Sequence, residues 1–99
     1  MKMIQSKHFC GEGIHRNYTF DNGYQASVIC TPYSYGGPAG LWELAIKVDG
    51  NITYDTPITG DVIGHLDDDE LASILQQIAN LPNRNGIPAV SASTMYLND

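Results

Sequence analysis

The stretch Trp42-Glu43-Leu44-Ala45-Ile46-Lys47-Val48 decides the fold. Trp42, Leu44, Ile46 and Val48 alternate with Glu43, Ala45 and Lys47, so an extended chain here has one apolar face and one mixed face, the pattern of a half-buried strand. Asp49-Gly50-Asn51 then turns the chain, and Ile52, Tyr54, Thr56 and Ile58 return with the same alternation. Sliding the return by one residue exchanges its faces. A three-residue loop sets Val48 against Ile52, Ile46 against Tyr54 and Trp42 against Ile58. A two-residue loop sets Ile46 against Thr53 and Leu44 against Asp55. Alignment of the apolar faces favours the three-residue loop. Pro57 lacks an N–H donor, so the returning strand is expected to lie at a sheet edge or to end there.

Upstream, residues 14–20 place Ile14, Arg16, Tyr18 and Phe20 on one face and His15, Asn17 and Thr19 on the other. After Asp21-Asn22-Gly23, the residues Tyr24, Ala26, Val28 and Cys30 share a face. A two-residue Asn-Gly loop would pair Phe20 with Gln25 and Tyr18 with Ser27. A three-residue loop with Gly23 in the left-handed region pairs Phe20 with Tyr24, Tyr18 with Ala26 and Ile14 with Cys30. The second arrangement joins apolar faces and is expected.

Downstream, Leu71, Ile74, Leu75, Ile78 and Leu81 form one stripe at helical spacing. Asp67 is a suitable N-cap, Glu70 completes a capping box, and Leu66 and Leu71 occupy hydrophobic-staple positions. Asp68 and Asp69 complement the positive end of the helix dipole, and Pro82 stops the helix. The expected architecture is a single α+β domain over residues 1–82. It is a four-stranded antiparallel sheet of two β-hairpins packed against one C-terminal helix. Residues 83–99 form a polar C-terminal tail, in which residues 87–90 either add an edge strand or stay mobile.

With 99 residues, 42% of them hydrophobic, the chain has room for one domain and enough apolar surface to argue against disorder. No run approaches the roughly 18 apolar residues of a membrane span. Met1-Lys2-Met3-Ile4-Gln5-Ser6-Lys7-His8 has no apolar signal region, so a soluble, cytoplasmic protein is expected. The net charge of −6 is uneven. Bases and acids balance over residues 1–50, whereas residues 51–99 carry Arg84 against Asp55, Asp61, Asp67, Asp68, Asp69, Glu70 and Asp99. Without a basic footprint to displace phosphate counterions, direct nucleic-acid binding is not expected. An acidic surface suits a basic protein partner instead.

Cys10 and Cys30 do not make a disulfide framework, and Cys30 reads as a small buried hydrophobe. His8, Cys10, Cys30 and His65 offer only one of the paired short spacings that a structural zinc site usually shows. Asp67 to Glu70 are contiguous and enter a helix, unlike the alternating ligands of a calcium loop. No cofactor or metal is expected. Asp55, Asp61 and His65 hint at acid–base chemistry, but no nucleophile sits in a recognisable elbow, so the chain is not expected to be an enzyme. Tyr33-Ser34-Tyr35-Gly36-Gly37-Pro38-Ala39-Gly40 has two readings. Tyrosines on a Ser/Gly loop are what recognition surfaces use. The other reading is a long connection whose tyrosines fold back over the sheet.

Several segments together resemble a known group: Tyr33-Ser34-Tyr35-Gly36-Gly37, Gly40-Leu41-Trp42-Glu43-Leu44-Ala45-Ile46, Asp49-Gly50, Tyr54-Asp55-Thr56-Pro57-Ile58-Thr59 and Asp61-Val62-Ile63-Gly64-His65-Leu66. With the helix, they are similar to small uncharacterised accessory proteins of tailed bacteriophages and prophages, over residues 33–81. The resemblance implies a host-cytoplasmic setting and an accessory role, and supplies no catalytic residues. The expected function is a non-enzymatic phage or prophage protein that binds and modulates a host or phage protein. Its expected contact residues are Tyr33, Tyr35, Trp42, Asp55, Asp61, Asp68 and Asp69. The sharper form is inhibition of a nucleic-acid-binding defence factor through the acids of residues 55–70. The alternative is a self-associating structural or virion-assembly component, a homo-oligomer formed through an edge strand at residues 52–58 or through residues 87–90.

Overall fold

The computed structural model describes residues 1–7, 12–54 and 56–83. Among the described residues, six strands and one α-helix follow in chain order: β1 (Lys2–Lys7), β2 (Ile14–Thr19), β3 (Tyr24–Cys30), β4 (Trp42–Val48), β5 (Asn51–Ile52), β6 (Ile63–Leu66) and α1 (Asp68–Ala79). The strands run β1-β2-β3-β4-β5 across an antiparallel sheet. The short β5 and β6 both pair with β4, β5 at its Val48 end and β6 at its Trp42 end. The architecture is therefore α+β with one helix, as the periodicities require, but the sheet is wider than four strands.

The first hairpin has the expected register: Ile14 faces Cys30 and Tyr18 faces Ala26. The Phe20 N–H donates to the Tyr24 carbonyl at 3.0 Å, and Gly23 has φ 91. The second hairpin departs from expectation. Val48 pairs with Asn51 and Lys47 with Ile52, so the loop is the two residues Asp49 and Gly50. Their φ values, 52 and 82, suit the tight turn that Asp-Gly favours in hairpins. Asn51 and Ile52 are exposed, so β5 has no buried face to align and turn chemistry sets the register. The Thr53 N–H still donates to the Ile46 carbonyl at 2.8 Å, but the strand ends at Ile52, and among the described residues of 52–58 no strand continues it.

Two strands carry no alternating signal in the sequence. Every residue of β1 is exposed, on the outer edge of β2. In β6 a register shift between Trp42 and Leu44, with His65 at φ 58, breaks the two-residue period. The N-terminus is thus an edge strand, and residues 63–66 are a strand as well as the approach to the helix. The tail expectation for residues 87–90 lies outside the described residues.

The helix forms as its sequence dictates. Asp67 Oδ1 accepts the Glu70 N–H at 2.7 Å, and Glu70 Oε1 accepts the Asp67 N–H at 2.9 Å. Two otherwise unpaired N–H groups are thereby satisfied. Asp67→Ala is expected to lower stability by about 1 kcal/mol, read as a lower urea midpoint at unchanged slope. The apolar stripe buries Leu71, Leu75 and Ile78, with Ile74 and Leu81 half-covered beside them. They pack on Tyr18, Phe20, Tyr24, Ala26, Val28, Leu44 and Ile46, the residues that alternation placed on one sheet face. Cys30 is only half-buried, with Sγ 3.8 Å from the Gly37 carbonyl oxygen. At the other end of the helix, Asn22 is 7% exposed. Its Nδ2 donates to the carbonyls of Ile78 at 2.8 Å and Leu81 at 3.1 Å, while its Oδ1 accepts the Tyr24 N–H at 3.1 Å. One turn residue of the first hairpin therefore caps the helix C-terminus. Among the described residues, no helix is long and apolar enough to cross a membrane.

Candidate functional site

The connection from β3 to β4, residues 31–41, is built from the inside outward. Ser34 is buried, and its Oγ accepts the Thr31 N–H at 2.9 Å and donates to the Thr31 carbonyl at 3.1 Å. Thr31 Oγ1 accepts the Tyr33 N–H at 3.1 Å. Gly36, at φ 87, lets the chain reverse into a single 3-10 turn (Gly37–Ala39), which Gly40 closes at φ 78. The Gly36 carbonyl then accepts the Leu41 N–H at 2.9 Å. A Cβ on Gly37 would overlap the Thr31 carbonyl oxygen and Ser34 Oγ, and one on Gly36 would lie 2.8 Å from the His65 Cα. These contacts leave the loop little freedom.

Tyr35 ties this loop to the sheet. Its N–H donates to Glu43 Oε1 at 2.8 Å, and its carbonyl accepts the His65 N–H at 3.1 Å. Gly64 lies beneath Tyr35, where any side chain would run into the tyrosine Cβ. His65 is exposed and held at φ 58. That conformation is disfavoured for a side-chain-bearing residue and is maintained here by its neighbours.

Two aromatic rings stand out from this fixed platform. Tyr33 is 80% exposed and Tyr35 61% exposed. The tyrosines do not fold back over the sheet. Full burial of a large apolar side chain is worth about 1.5–3 kcal/mol. The fold forgoes most of that at both rings while holding their backbone rigid.

The other expected contact residues have different surroundings. Trp42 is 7% exposed, with its Nε1–H donating to Asp68 Oδ1 at 2.9 Å and the Arg16 guanidinium 4.4 Å above the ring centroid. Arg16 Nε in turn donates to Gln5 Oε1 at 2.8 Å. With the ring so covered, little of Trp42 is left at the surface, and it packs the sheet onto the helix. Asp68 fastens that indole, and Asp69 lies exposed in the same helical turn. Asp61 is exposed and uses Oδ1 to accept the Val62 N–H at 2.8 Å. Asp55 lies outside the described residues.

The topology does bring two of the groups to one end of the molecule. Trp42 pairs with Leu66, so the loop that feeds β4 and the helix that follows β6 start side by side. The tyrosines and the acids from Asp67 to Glu70 therefore share one pole. Glu43, Gly64 and His65 belong to this site and were not among the expected contacts. An isolated glycine in a strand often marks close backbone approach, which is the signal Gly64 carried. Beside the pole, Arg16, Tyr18, Asp68, Leu71, Ala72 and Leu75 line an open crease of about 240 Å³. Among the described residues, no group of three or more His, Cys, Asp or Glu side chains is placed to hold a metal ion. Comparison of the chain with family models, curated proteins and solved structures found no match.

Proposed function

We propose that this chain is a non-enzymatic binding protein that recognises another protein through Tyr33 and Tyr35. One observation carries the reading: a loop immobilised by a buried serine and close-packed glycines holds two tyrosines in solvent. Rigid exposed aromatics offer a partner large contact area with little ordering entropy left to lose, which is how recognition loops gain affinity. The acids at the same pole favour a partner with a basic face. The resemblance to phage and prophage accessory proteins supplies the proposed setting, a host cytoplasm, and the proposed role, modulation of a host or phage protein. A nucleic-acid-binding defence factor is the sharper target, since such proteins carry basic surfaces.

The experiment is affinity capture from host lysate followed by native mass spectrometry of the eluate. One stoichiometric protein is expected, with affinity that falls as salt is raised. The double variant Tyr33→Ala with Tyr35→Ala is expected to weaken that complex by about 100-fold, as loss of two interface anchors does, with an unchanged unfolding midpoint. Repeated capture of nothing, or unfolding of the double variant, counts against the proposal.

A further inference from the structure

Asparagine followed by glycine is the dipeptide most prone to lose its side-chain amide, because glycine has no side chain to keep its backbone nitrogen from the asparagine Cγ. In this chain Asn22 and Asn85 precede glycine. Asn85 lies outside the described residues. Asn22 sits in the first hairpin turn, where the fold holds back each group that the reaction needs. The Gly23 nitrogen has to give up its proton and attack Cγ, but its N–H donates to the Phe20 carbonyl at 3.2 Å, and Gly23 is set at φ 91. The attacked amide is fixed as well. Its Oδ1 accepts the Tyr24 N–H at 3.1 Å, and its Nδ2 donates to the carbonyls of Ile78 at 2.8 Å and Leu81 at 3.1 Å. To leave as ammonia, Nδ2 must gain a proton, yet it faces carbonyl oxygens, which only accept, and Asn22 is 7% exposed. We propose that Asn22-Gly23 is a latent modification site, kept intact by the C-terminal end of α1, whose conversion on opening makes unfolding one-way.

Once the turn and the helix end separate, the Gly23 nitrogen bonds to the Asn22 Cγ, the Cγ–Nδ2 bond breaks, and ammonia leaves behind a five-membered imide. Water then opens either imide carbonyl. Opening at Cγ gives an aspartyl carboxylate on the ordinary main chain. Opening at the backbone carbonyl routes the main chain through Cβ and Cγ and leaves the carboxylate on the former backbone carbon. In both cases water enters and ammonia departs, with no oxidant or reductant. Neither product restores the cap. The first offers only acceptors to the Ile78 and Leu81 carbonyls and brings negative charge to the negative end of the helix dipole. The second also lengthens the backbone inside a tight loop, which the Phe20 N–H closes on the Tyr24 carbonyl at 3.0 Å. A chain that opens and lingers is thereby withdrawn from the folded population, as happens when an unfolded state is modified faster than it refolds. Tyr33 and Tyr35 play no part in this, whatever they bind.

The test holds the purified chain at mildly alkaline pH, in buffer and in guanidinium chloride, and follows positions 22 and 85 by peptide mass. Asn85-Gly86, the same dipeptide, is the clock in denaturant. There, position 22 is expected to convert as fast as position 85. In buffer, position 22 is expected to convert at least about 100-fold more slowly than in denaturant, because only the opened fraction reacts. The denatured samples are then diluted into buffer, and native chains are separated from the rest by size exclusion. Conversion at position 22 is expected to be concentrated in chains that fail to refold, or that unfold at a lower denaturant midpoint. Faster conversion in buffer than that overturns the proposal. So do chains converted at position 22 that refold with an unchanged midpoint.

Discussion

Gly37→Ala is expected to destabilise the domain by about 3 kcal/mol and to abolish partner binding, a larger loss than removing either tyrosine. The glycine is not there for its dihedral freedom. It is there because an added Cβ would occupy the space of the Thr31 carbonyl oxygen and Ser34 Oγ. Relief requires the loop to lift away, which takes Ser34 from its buried position and breaks its bonds to the Thr31 N–H and carbonyl. Those buried groups then go unpaired, at about 1–3 kcal/mol in addition to the steric cost. At the slope usual for a domain of this size, the urea midpoint should drop by roughly 2 M. Gly40→Ala is the control. Its Cβ would meet nothing within 4 Å, and only the left-handed φ of 78 opposes it. About 1 kcal/mol is expected there. Equal effects at the two positions would mean that the loop yields easily, and the rigid-platform account would fail.

Asn22→Asp should be the most damaging single-atom exchange in the molecule, at about 4 kcal/mol. The Asn22 amide nitrogen donates to the Ile78 and Leu81 carbonyls and lies 3.4 Å from that of Ala79. A carboxylate would turn an acceptor toward these oxygens in a nearly water-free position. It would also place negative charge at the negative end of the helix dipole. Asn22→Ala removes the amide without adding charge and should cost about 2–3 kcal/mol. Urea unfolding of the two variants gives the order, and hydrogen exchange at the Asn80 and Leu81 amides shows whether the last helical turn frays first. An aspartate variant as stable as wild type would show that Asn22 is an ordinary turn residue.

How much could be read in advance varied with what each segment buries. The first hairpin came out in the expected register because Tyr18 and Phe20 on one side and Tyr24, Ala26 and Val28 on the other are buried in one core with the helix, so a slip would expose that set. The second hairpin did not. Its return strand is exposed, and without a buried face the Asp49-Gly50 turn was free to set the pairing. Trp42 fell on the correct face, yet alternation alone does not distinguish a core indole from a contact surface. Arg16, Gln5 and Asp68, brought from β2, β1 and α1, close over it. The Tyr33–Tyr35 loop was legible as a candidate from its composition. Its rigidity was not, since that depends on Glu43 and His65 arriving from elsewhere in the chain.

Periodicity and capping residues were therefore sufficient for the helix, the first hairpin, the apolar face of β4 and the α+β class. Each rests on interactions within a few residues or on one buried face, and both leave a repeating mark in the chain. Tertiary structure alone decided the width of the sheet, the β1 edge, the bulged β6, the helix cap provided by Asn22 and the platform under the tyrosines. Each of these joins groups from different segments of the chain by hydrogen bonds or close packing of glycine. Such contacts depend on where the chain is brought together, and they impose no period on the residues that make them.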